Sequence, residues 1–397
     1  MKQFDFDQII ERRGSHAIKQ DCLMEEFGRE DLLPLWIADM DFAVCPEITR
    51  VLTERIASHP IYGYAEQHAS YWQSIIDWQA RRNNFHFTAD EVRYIPGIVT
   101  GFGFALNHFT KPGDKVVIQE PVYHPFRRLT EGNGRTIVNN ALIETDDGMY
   151  RMDFDGLEKI FVTEAPVMMV LCNPHNPVGI SWSAETLREV ARLSKKYNVV
   201  VFSDEIHSDL MLYGHKHTTF ATVSDDAAEV AVTFGAPSKT FNIAGFKSSW
   251  CVIQNPKLRD PFFNWLDVNE FNSSNFVSII AAEVAYNQGE EWLAQCIKYL
   301  EGNIDFMAQY CDRNISGIRV IKPQASFLVW LDCSKLGLQH EELANMMVNE
   351  ARLALNDGAM FGTAGLQHFR VNAGEPRAVI AEAMKRLEQA VLKLKQH

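Results

Sequence analysis

Four short runs of apolar residues constrain the fold of this 397-residue chain more than any other feature. They are Lys115–Gln119, Val167–Cys172, Val199–Ser203 and Val230–Gly235. The runs are continuous rather than alternating with polar residues, which is typical of strands in a sheet that is covered by helices on both faces. Helical periodicity appears between or beside them, at Val122–Glu131, Ser183–Tyr197 and Phe276–Gln288. The pattern predicts an α/β fold around a mostly parallel, doubly wound sheet.

The C-terminal part of the chain predicts a different arrangement. Helical patterns occur at Glu291–Cys311, His340–Glu350 and Pro376–Lys395, and strand patterns at Ile318–Ile321, Phe327–Leu331 and His368–Asn372. This mixture indicates a smaller α+β domain. The N-terminal segment shows no partner of its own and is expected to join it. We therefore expect a large domain over residues 45–290 and a small domain made of residues 1–44 and 291–397.

Charge and cysteine content exclude several classes of protein. The formal net charge is −13, and no run of lysine and arginine interrupts it, so we expect no nucleic-acid or membrane partner. No apolar run reaches the roughly 18 residues of a membrane span, and Met1–Asp5 lacks the apolar region of a signal peptide. The seven cysteines form no C-x-x-C pair, which fits reduced thiols and a cytoplasmic location.

Two motifs suggest places where a ligand binds. Pro96–Gly101 precedes the helical run Phe102–Phe109, and the free N–H groups of a helix start can bind phosphate, although an ordinary helix start fits equally well. Asn173–Gly179 follows the strand that ends at Cys172, where ligands of open α/β sheets bind. Asn176 can donate there to an anionic ring oxygen; the alternative is a proline-rich turn.

A third motif, Ser203–Asp209, follows the next strand. Asp204, if buried, needs a positive partner, which a protonated pyridine nitrogen would supply. His207 is a candidate general base, but a structural hydrogen-bonding histidine is the simpler interpretation. Glu205 and Asp209 are interpreted as ordinary polar positions.

The fourth motif, Ala236–Asn242, contains Lys239 directly after the run that ends at Gly235. A lysine at this place, flanked by small residues and Phe241, is expected to be partly buried rather than a surface charge. Burial lowers the pKa of an amine and makes it a usable nucleophile and base.

These residues together resemble a known family. The order Asn176, Asp204, Lys239, Arg370 is similar to that of the fold-type-I enzymes that use pyridoxal 5′-phosphate (PLP), the aspartate aminotransferase superfamily. Further segments resemble the bacterial cystathionine β-lyase, or C–S lyase, branch: Phe4–Phe6, Leu32–Phe42, Tyr62–Tyr64, Ser203–His207, Ser238–Asn242 and Phe369–Gly374. The likeness covers nearly the whole chain and depends on the ordered set, because each motif alone is loose.

The resemblance implies roles for individual residues. Lys239 would form the Schiff base with PLP and act as the base, Asp204 would pair with the pyridine nitrogen, and Tyr123 would stack on the ring. The other implied cofactor contacts are Val99, Thr100 and Ser238 at the phosphate, Asn176 at the ring hydroxyl, and Ile206 and His207 beside the ring. The implied substrate contacts are Ala38, Tyr64, Asn176 and Arg370, with Arg370 as a bidentate clamp on the α-carboxylate. Tyr64 would reach the phosphate of the neighbouring subunit, which implies a homodimer with shared active sites.

Two positions depart from the superfamily pattern. Ala236 stands where a hydroxyl residue is often found, and Lys247 stands where an arginine is often found. Lys247 can still contact a phosphate as a point charge, but without the fork geometry of a guanidinium. These two departures weaken the case for phosphate binding more than the case for a Schiff base at Lys239.

The resemblance implies α,β-elimination of L-cystathionine or related cysteine S-conjugates to pyruvate, ammonia and a thiol. An aminotransferase would use the same residues as far as removal of the Cα proton, so that alternative stays open. A non-catalytic PLP-binding regulator is a third hypothesis. The intact Lys239 and the lack of a basic helix-turn-helix are evidence against it.

No nucleotide-binding glycine motif is present, and His215 and His217 indicate a polar loop rather than a metal site.

Overall fold

A computed structural model of the chain describes residues 2–394. The strands, numbered in chain order, are β1 (Leu33–Pro34), β2 (Val92–Ile95), β3 (Lys115–Ile118), β4 (Thr136–Asn139), β5 (Ile143–Glu144), β6 (Tyr150–Arg151), β7 (Met168–Cys172), β8 (Val200–Asp204), β9 (Ala231–Gly235), β10 (Ser249–Val252), β11 (Arg319–Ile321), β12 (Leu328–Asp332), β13 (Leu353–Ala354), β14 (Asn356–Asp357) and β15 (His368–Asn372). The helices are α1 (Ile18–Asp21), α2 (Leu23–Phe27), α3 (Pro46–Ser58), α4 (Ala69–Asn83), α5 (Ile98–Phe109), α6 (Pro125–Gly132), α7 (Phe154–Glu164), α8 (Ala184–Tyr197), α9 (Asp225–Val230), α10 (Pro237–Thr240), α11 (Pro256–Val268), α12 (Phe276–Gln288), α13 (Glu290–Asn314), α14 (His340–Asn345) and α15 (Arg377–Leu394).

The larger sheet has seven strands in the order β2-β10-β9-β8-β7-β3-β4. Strand β10 is antiparallel to β2 and β9, while β9, β8, β7, β3 and β4 run parallel to one another. Successive residues face opposite cores: Val117 and Met169 pack in one, Val116 and Met168 in the other. Because both faces are buried, the strands are apolar without alternation. The predicted mostly parallel, doubly wound α/β sheet is confirmed.

The register of this sheet sets the position of the predicted motifs. Cys172 of β7 lies opposite Asp204 of β8, and Asp204 lies opposite Phe234 of β9. The three strands therefore end side by side, and the polar segments that follow them emerge at one edge of the sheet.

A second, antiparallel sheet has the order β11-β12-β15-β14, and α13 and α15 pack together beside it. The N-terminal segment is attached to this part of the chain, because Leu33 of β1 pairs in parallel with Leu353 of β13. The division at residues 45 and 290 stays a prediction, and residues 1 and 395–397 lie outside the described residues.

Helix ends follow the capping residues of the sequence. Ser183 caps α8 by accepting a hydrogen bond from the Thr186 N–H at 3.1 Å, and Asn275 caps α12 by accepting from the Ser278 N–H at 2.8 Å. The predicted start of α6 at Val122 is wrong. The Val122 N–H donates to the Phe361 carbonyl at 2.9 Å, and the helix begins only at Pro125, a residue favoured in the first turn.

In the C-terminal part of the chain, the observed helices and strands begin and end within a few residues of the predicted bounds. Strand β15 has the predicted bounds, whereas the helix at His340 changes to a π-helical turn over Met346–Glu350. The predicted helix end at Lys395 lies outside the described residues. None of the helices in residues 2–394 is both long and apolar enough to cross a membrane.

Candidate active site

A cavity of about 270 Å³ lies at the sheet edge where β7, β8 and β9 end. Its lining includes most of the residues singled out from the sequence: Ala38, Val99, Thr100, Tyr123, Asn176, Asp204, Ile206, His207, Ser238, Lys239 and Lys247. Arg370 does not line it directly but touches it through Asn176, to which its guanidinium donates. The structure therefore brings the four motifs into one site.

Lys239 lies in the short helix α10, directly after β9. Its Nζ donates to the Ala38 carbonyl. The neighbouring Thr240 is fixed because its hydroxyl donates to buried Asp209 at 3.0 Å. Burial lowers the pKa of Lys239 to about 8, against the opposing charge of Asp39. A substantial fraction of the amine is therefore neutral near neutral pH, and it can act as a nucleophile or take up a proton.

Asp204 ends β8 and is 5% exposed. Its carboxylate accepts a hydrogen bond from the Ile206 N–H at 3.1 Å, and among residues 2–394 no cation lies within ion-pair distance of it. Burial raises the pKa of Asp204 to about 7. A buried carboxylate in this setting favours a ligand that brings a positive charge.

The start of α5 also lines the cavity and offers free backbone N–H groups that suit an anion. Gly97 precedes the helix with φ of 100°, and the first hydrogen bond of the helix is donated by the Gly101 N–H to the Gly97 carbonyl. The N–H groups of Val99 and Thr100 thus stay free toward the cavity. The helix start can lie this close to the sheet because residue 101 is glycine. A Cβ at that position would come within 2.5 Å of the Phe234 ring.

Arg370 lies in β15 and is almost fully buried. Its Nη1 donates to Asn176 Oδ1 at 3.1 Å and its Nη2 donates to the Trp36 carbonyl at 3.0 Å, while its Nε has no hydrogen-bond partner among residues 2–394. Burial lowers the pKa of Arg370 to about 10. The guanidinium remains charged at neutral pH and can bind a carboxylate at the rim of the cavity.

The family model for aminotransferase class I and II matches residues 30–387, which is most of the chain. The chain belongs to this family. Cystathionine beta-lyase PatB of Bacillus subtilis (strain 168) is 40% identical to it over 387 residues, which cover 98% of this chain and 100% of the relative.

Solved structures of relatives match the whole fold. Cystalysin from Treponema denticola, which contains PLP, superposes with a TM-score of 0.95 at 31% identity and covers 99% of this chain and 100% of its own. The PLP-bound C–S lyase from Staphylococcus hominis superposes with a TM-score of 0.92 at 29% identity and covers 98% and 99%. The predicted fold type I architecture and the lyase branch of the aminotransferase class I and II family are confirmed.

Other predicted residues of this family member occupy distinct environments. Tyr123 is half-buried and meets Phe126 edge to face, with ring centroids 5.7 Å apart. His207 is buried, burial lowers its pKa to about 3, and its Nδ1 has no partner within the described chain. Lys247 lies exposed at the rim, where its carbonyl accepts from the Tyr94 hydroxyl at 2.9 Å. Tyr64 is fully exposed and lies outside the cavity, so its role stays a prediction.

The interpretation of Glu205 and Asp209 as ordinary polar positions is wrong. Glu205 is buried and accepts from the Ser203 hydroxyl at 2.9 Å, and its other oxygen lies 2.8 Å from His217 Nε2. Asp209 accepts from Trp78 Nε1 at 3.0 Å as well as from Thr240. The predicted polar loop is present, with His215 exposed, but the His217 side chain turns inward and joins a buried hydrogen-bonded group. Asp209 supports the segment that carries Lys239.

A buried charge cluster beside Ala38 was missed from the sequence. Lys19 is fully buried and contacts Glu375 and Asp41, with 3.4 Å to the latter, and it donates to the Asp39 carbonyl at 3.3 Å. Arg12 binds Asp39 through two hydrogen bonds. The cluster holds the segment directly after Ala38, whose carbonyl receives a hydrogen bond from the Lys239 amine. Nothing in the local pattern marks Lys19, because its partners are up to 356 positions away.

Replacing Lys19 with methionine should destabilise the protein strongly. The change leaves Glu375 buried without its cation, while Asp41 keeps Arg12, and breaking a buried pair costs about 3–5 kcal/mol. Denaturant unfolding measures the free energy of unfolding. The control is Lys335→Met at an exposed lysine, which should change stability by less than about 0.5 kcal/mol. Equal stability of the two variants would show that the cluster does not hold the segment.

Proposed function

We propose that this chain is a PLP-dependent C–S β-lyase that cleaves L-cystathionine or related cysteine S-conjugates to pyruvate, ammonia and a thiol. One observation carries the proposal: a lysine amine and a buried unpaired carboxylate line one cavity, and a buried guanidinium donates to Asn176 in its wall. Similarity to PatB, named a cystathionine beta-lyase, and to two PLP-containing structures, cystalysin and a C–S lyase, supports the choice of reaction.

The chemistry of the cavity fits PLP. The free N–H groups of Val99 and Thr100 suit the phosphate, with Ser238 and Lys247 beside them. Asp204 lines the same cavity, where a protonated ring nitrogen would supply the missing positive charge. The Lys239 amine is the group that can bond to the aldehyde.

The remaining wall of the cavity suits the ring. Asn176 accepts from Arg370 through Oδ1, which leaves its NH₂ group to donate to the ring oxygen. We assign Tyr123 and Ile206 to the two faces of the ring, and His207 to its edge as a neutral hydrogen-bonding group.

Lys239, Asp204 and Arg370 have separate roles in the proposed elimination. When bound, PLP supplies the electron sink for the charge left by removal of the Cα proton. Neutral Lys239 takes that proton, Asp204 keeps the ring nitrogen protonated, and Arg370 holds the α-carboxylate. The Cβ–S bond breaks with its electron pair on sulfur, which is protonated to the thiol. The released 2-aminoacrylate takes up water and yields pyruvate and ammonia.

Dimerisation and location complete the proposal. Ile61, Tyr62 and Tyr64 form an exposed apolar stretch, which fits a surface that is covered by a second copy, with Tyr64 reaching the partner's site. All seven cysteines are free, and six of them are buried, which fits a reducing cytoplasm. We keep the division into a large domain, 45–290, and a small domain, 1–44 with 291–397, as part of the proposal.

Incubation of the holoenzyme with L-cystathionine tests the reaction. We expect pyruvate and free thiol in equal amounts without any added 2-oxo acid. Turnover that requires an added 2-oxo acid, with amino-group transfer and no thiol, would contradict the lyase and establish the aminotransferase.

Capture of PLP by the cofactor-free protein should speed up as pH rises through about 8. The ammonium form of Lys239 cannot attack the aldehyde, and burial lowers its pKa to about 8, so the neutral fraction grows with pH. Between pH 7 and pH 9 the rate should rise about tenfold. Stopped-flow absorbance of the product provides the rate. A midpoint at the ordinary lysine pKa would show that the amine is not desolvated.

A further inference from the structure

A second cavity, of about 360 Å³, adjoins the cofactor cavity and shares Tyr123 with it. One wall is the segment before α6, which contributes Val122 and His124, and the other is the turn that carries Met360 and Phe361. The Val122 N–H donates to the Phe361 carbonyl at 2.9 Å, which joins the two walls. We call this space the Tyr123 side cavity.

The side cavity lies next to the expected position of the substrate. The guanidinium carbon of Arg370 is 5.1 Å from the centre of the Phe361 ring. The group proposed to bind the α-carboxylate therefore lies against a residue that lines the side cavity. A substrate with its carboxylate on Arg370 and its nitrogen toward Lys239 has one long branch left, the Cβ–S arm. The Tyr123 side cavity, which has Tyr123 in common with the cofactor cavity, is the adjoining space that can receive this arm.

The charges in the side cavity are already paired. Arg127 Nη2 donates to Glu120 at 2.8 Å and Arg127 Nη1 donates to Glu131 at 2.7 Å, while Asn139 donates to the other Glu120 oxygen at 2.9 Å. His124 is neutral at physiological pH, since burial, assisted by the charge of Arg370, lowers its pKa to about 4. No charge is therefore left over for an ionic group of the substrate.

The uncharged part of the lining is mostly carbon and sulfur, and its polar groups are the Tyr123 and Thr363 hydroxyls and the His124 imidazole. Ile118, Val122, Ala359, Met360 and Phe361 supply side-chain carbon and sulfur. The buried Nδ1 of His124 has no hydrogen-bond partner within residues 2–394. The cavity is partly open to solvent at Met360 and Thr363, so a charged group that entered it would lose part of its hydration without gaining a free counter-charge, whereas an apolar group gains by burial. The volume is sufficient for an aromatic ring, because an apolar cavity of about 150 Å³ holds benzene.

We propose that the Tyr123 side cavity binds the sulfur substituent of the substrate and selects cysteine conjugates with an uncharged, apolar substituent over those with a charged distal arm. The inference rests on the proposed lyase function and narrows its substrate class. L-cystathionine, whose distal arm carries an ammonium and a carboxylate, is then a poorer substrate than S-benzyl-L-cysteine.

Comparison of kcat/KM for these two substrates on the holoenzyme tests the selection, with pyruvate as the readout. We expect a preference for S-benzyl-L-cysteine of about tenfold or more, the range for groups that fill or miss an apolar pocket. Equal rates, or faster cleavage of L-cystathionine, would overturn the side-cavity inference and leave the lyase function intact.

Two variants test whether the sulfur substituent binds in the Tyr123 side cavity. Thr363→Trp, at an exposed residue of the lining, fills the cavity and should lower kcat/KM for S-benzyl-L-cysteine at least tenfold relative to L-cysteine, whose sulfur carries only hydrogen. Met360→Glu adds an unpaired carboxylate and should reduce the ratio of S-benzyl-L-cysteine to L-cystathionine turnover. Val162→Trp, on the exposed face of α7, is the bulky control and should change neither ratio. Ratios unaltered in both cavity variants would place the substituent elsewhere.

If the holoenzyme releases no pyruvate from any of these substrates, the lyase proposal fails. Measurements of amino-acid binding then test separately whether the side cavity holds the sulfur substituent. The change in visible absorbance on titration then gives a Kd for each amino acid. Tighter binding of S-benzyl-L-cysteine than of L-cystathionine, lost in Thr363→Trp, supports the side cavity. Equal Kd values would contradict it.

Discussion

Replacement of Lys239 by alanine is expected to reduce pyruvate formation by about 10⁴-fold or more and to remove the visible absorbance of covalently held PLP. Lys239 is the amine that borders both the cavity and the Ala38 carbonyl, and it supplies the covalent link and the base at once. Absorbance spectra and pyruvate assays on the purified variant measure the two losses.

Lys247→Ala is the matched control, because it removes a second lysine from the same cavity. That variant should keep the visible absorbance and bind PLP more weakly, since Lys247 contributes only a point charge at the rim. A Lys239→Ala protein that keeps both the absorbance and the turnover would refute the assignment of the base.

Asp204→Asn should have the second largest effect, a loss of about 10²–10³-fold in kcat with the covalent link retained. The amide keeps the shape of the carboxylate but cannot hold a proton on the ring nitrogen, and loss of one such electrostatic contact typically costs this factor. Steady-state kinetics and the absorbance spectrum separate the loss of rate from the loss of cofactor.

The same change should make the cofactor-free protein more stable at pH 8. The folded-state pKa of Asp204 is raised to about 7 by burial, so its stabilising contribution is present at low pH and is lost as pH rises through that value. Loss of activity with a gain in apo-protein stability is typical of a residue kept for function. Glu205→Gln is the contrasting control and should lower stability, because the Glu205 carboxylate accepts from Ser203 and Phe220. Unchanged kcat in Asp204→Asn would contradict the role of Asp204.

The sequence predicted the parallel strands well because their environment is uniform. Strands β3, β7, β8 and β9 are buried on both faces, so most of their residues are apolar, and the polar motifs at the ends of β7, β8 and β9 mark where the strands end. Since these ends are adjacent in the sheet, Asn176, Asp204 and Lys239 could be placed in one site before any coordinates were known.

Other elements gave no such signal. Strands β2, β4 and β10 have four residues each, and short mixed sequences such as Val92–Ile95 do not show a period. Helices α3 and α4 were also missed. They are polar over much of their length, and the pattern favoured the longer apolar runs elsewhere.

Contacts between distant positions were beyond the sequence pattern. In the sequence, Lys19 resembles a surface lysine of the short helix Ile18–Asp21. It is buried in the structure, where its amine contacts Glu375 and Asp41. The Tyr123 side cavity likewise exists because a turn near Phe361 closes over the segment before α6. Such features depend on packing across hundreds of residues, which no local period records.

Borohydride reduction of the PLP-loaded protein, followed by peptide mapping with mass spectrometry, tests the central claim most directly. Reduction makes the link between the amine and the cofactor permanent. We predict one modified site, Lys239, in the peptide that contains Ser238 and Thr240. A reduced cofactor on any other lysine, or no modification at all, would contradict the account.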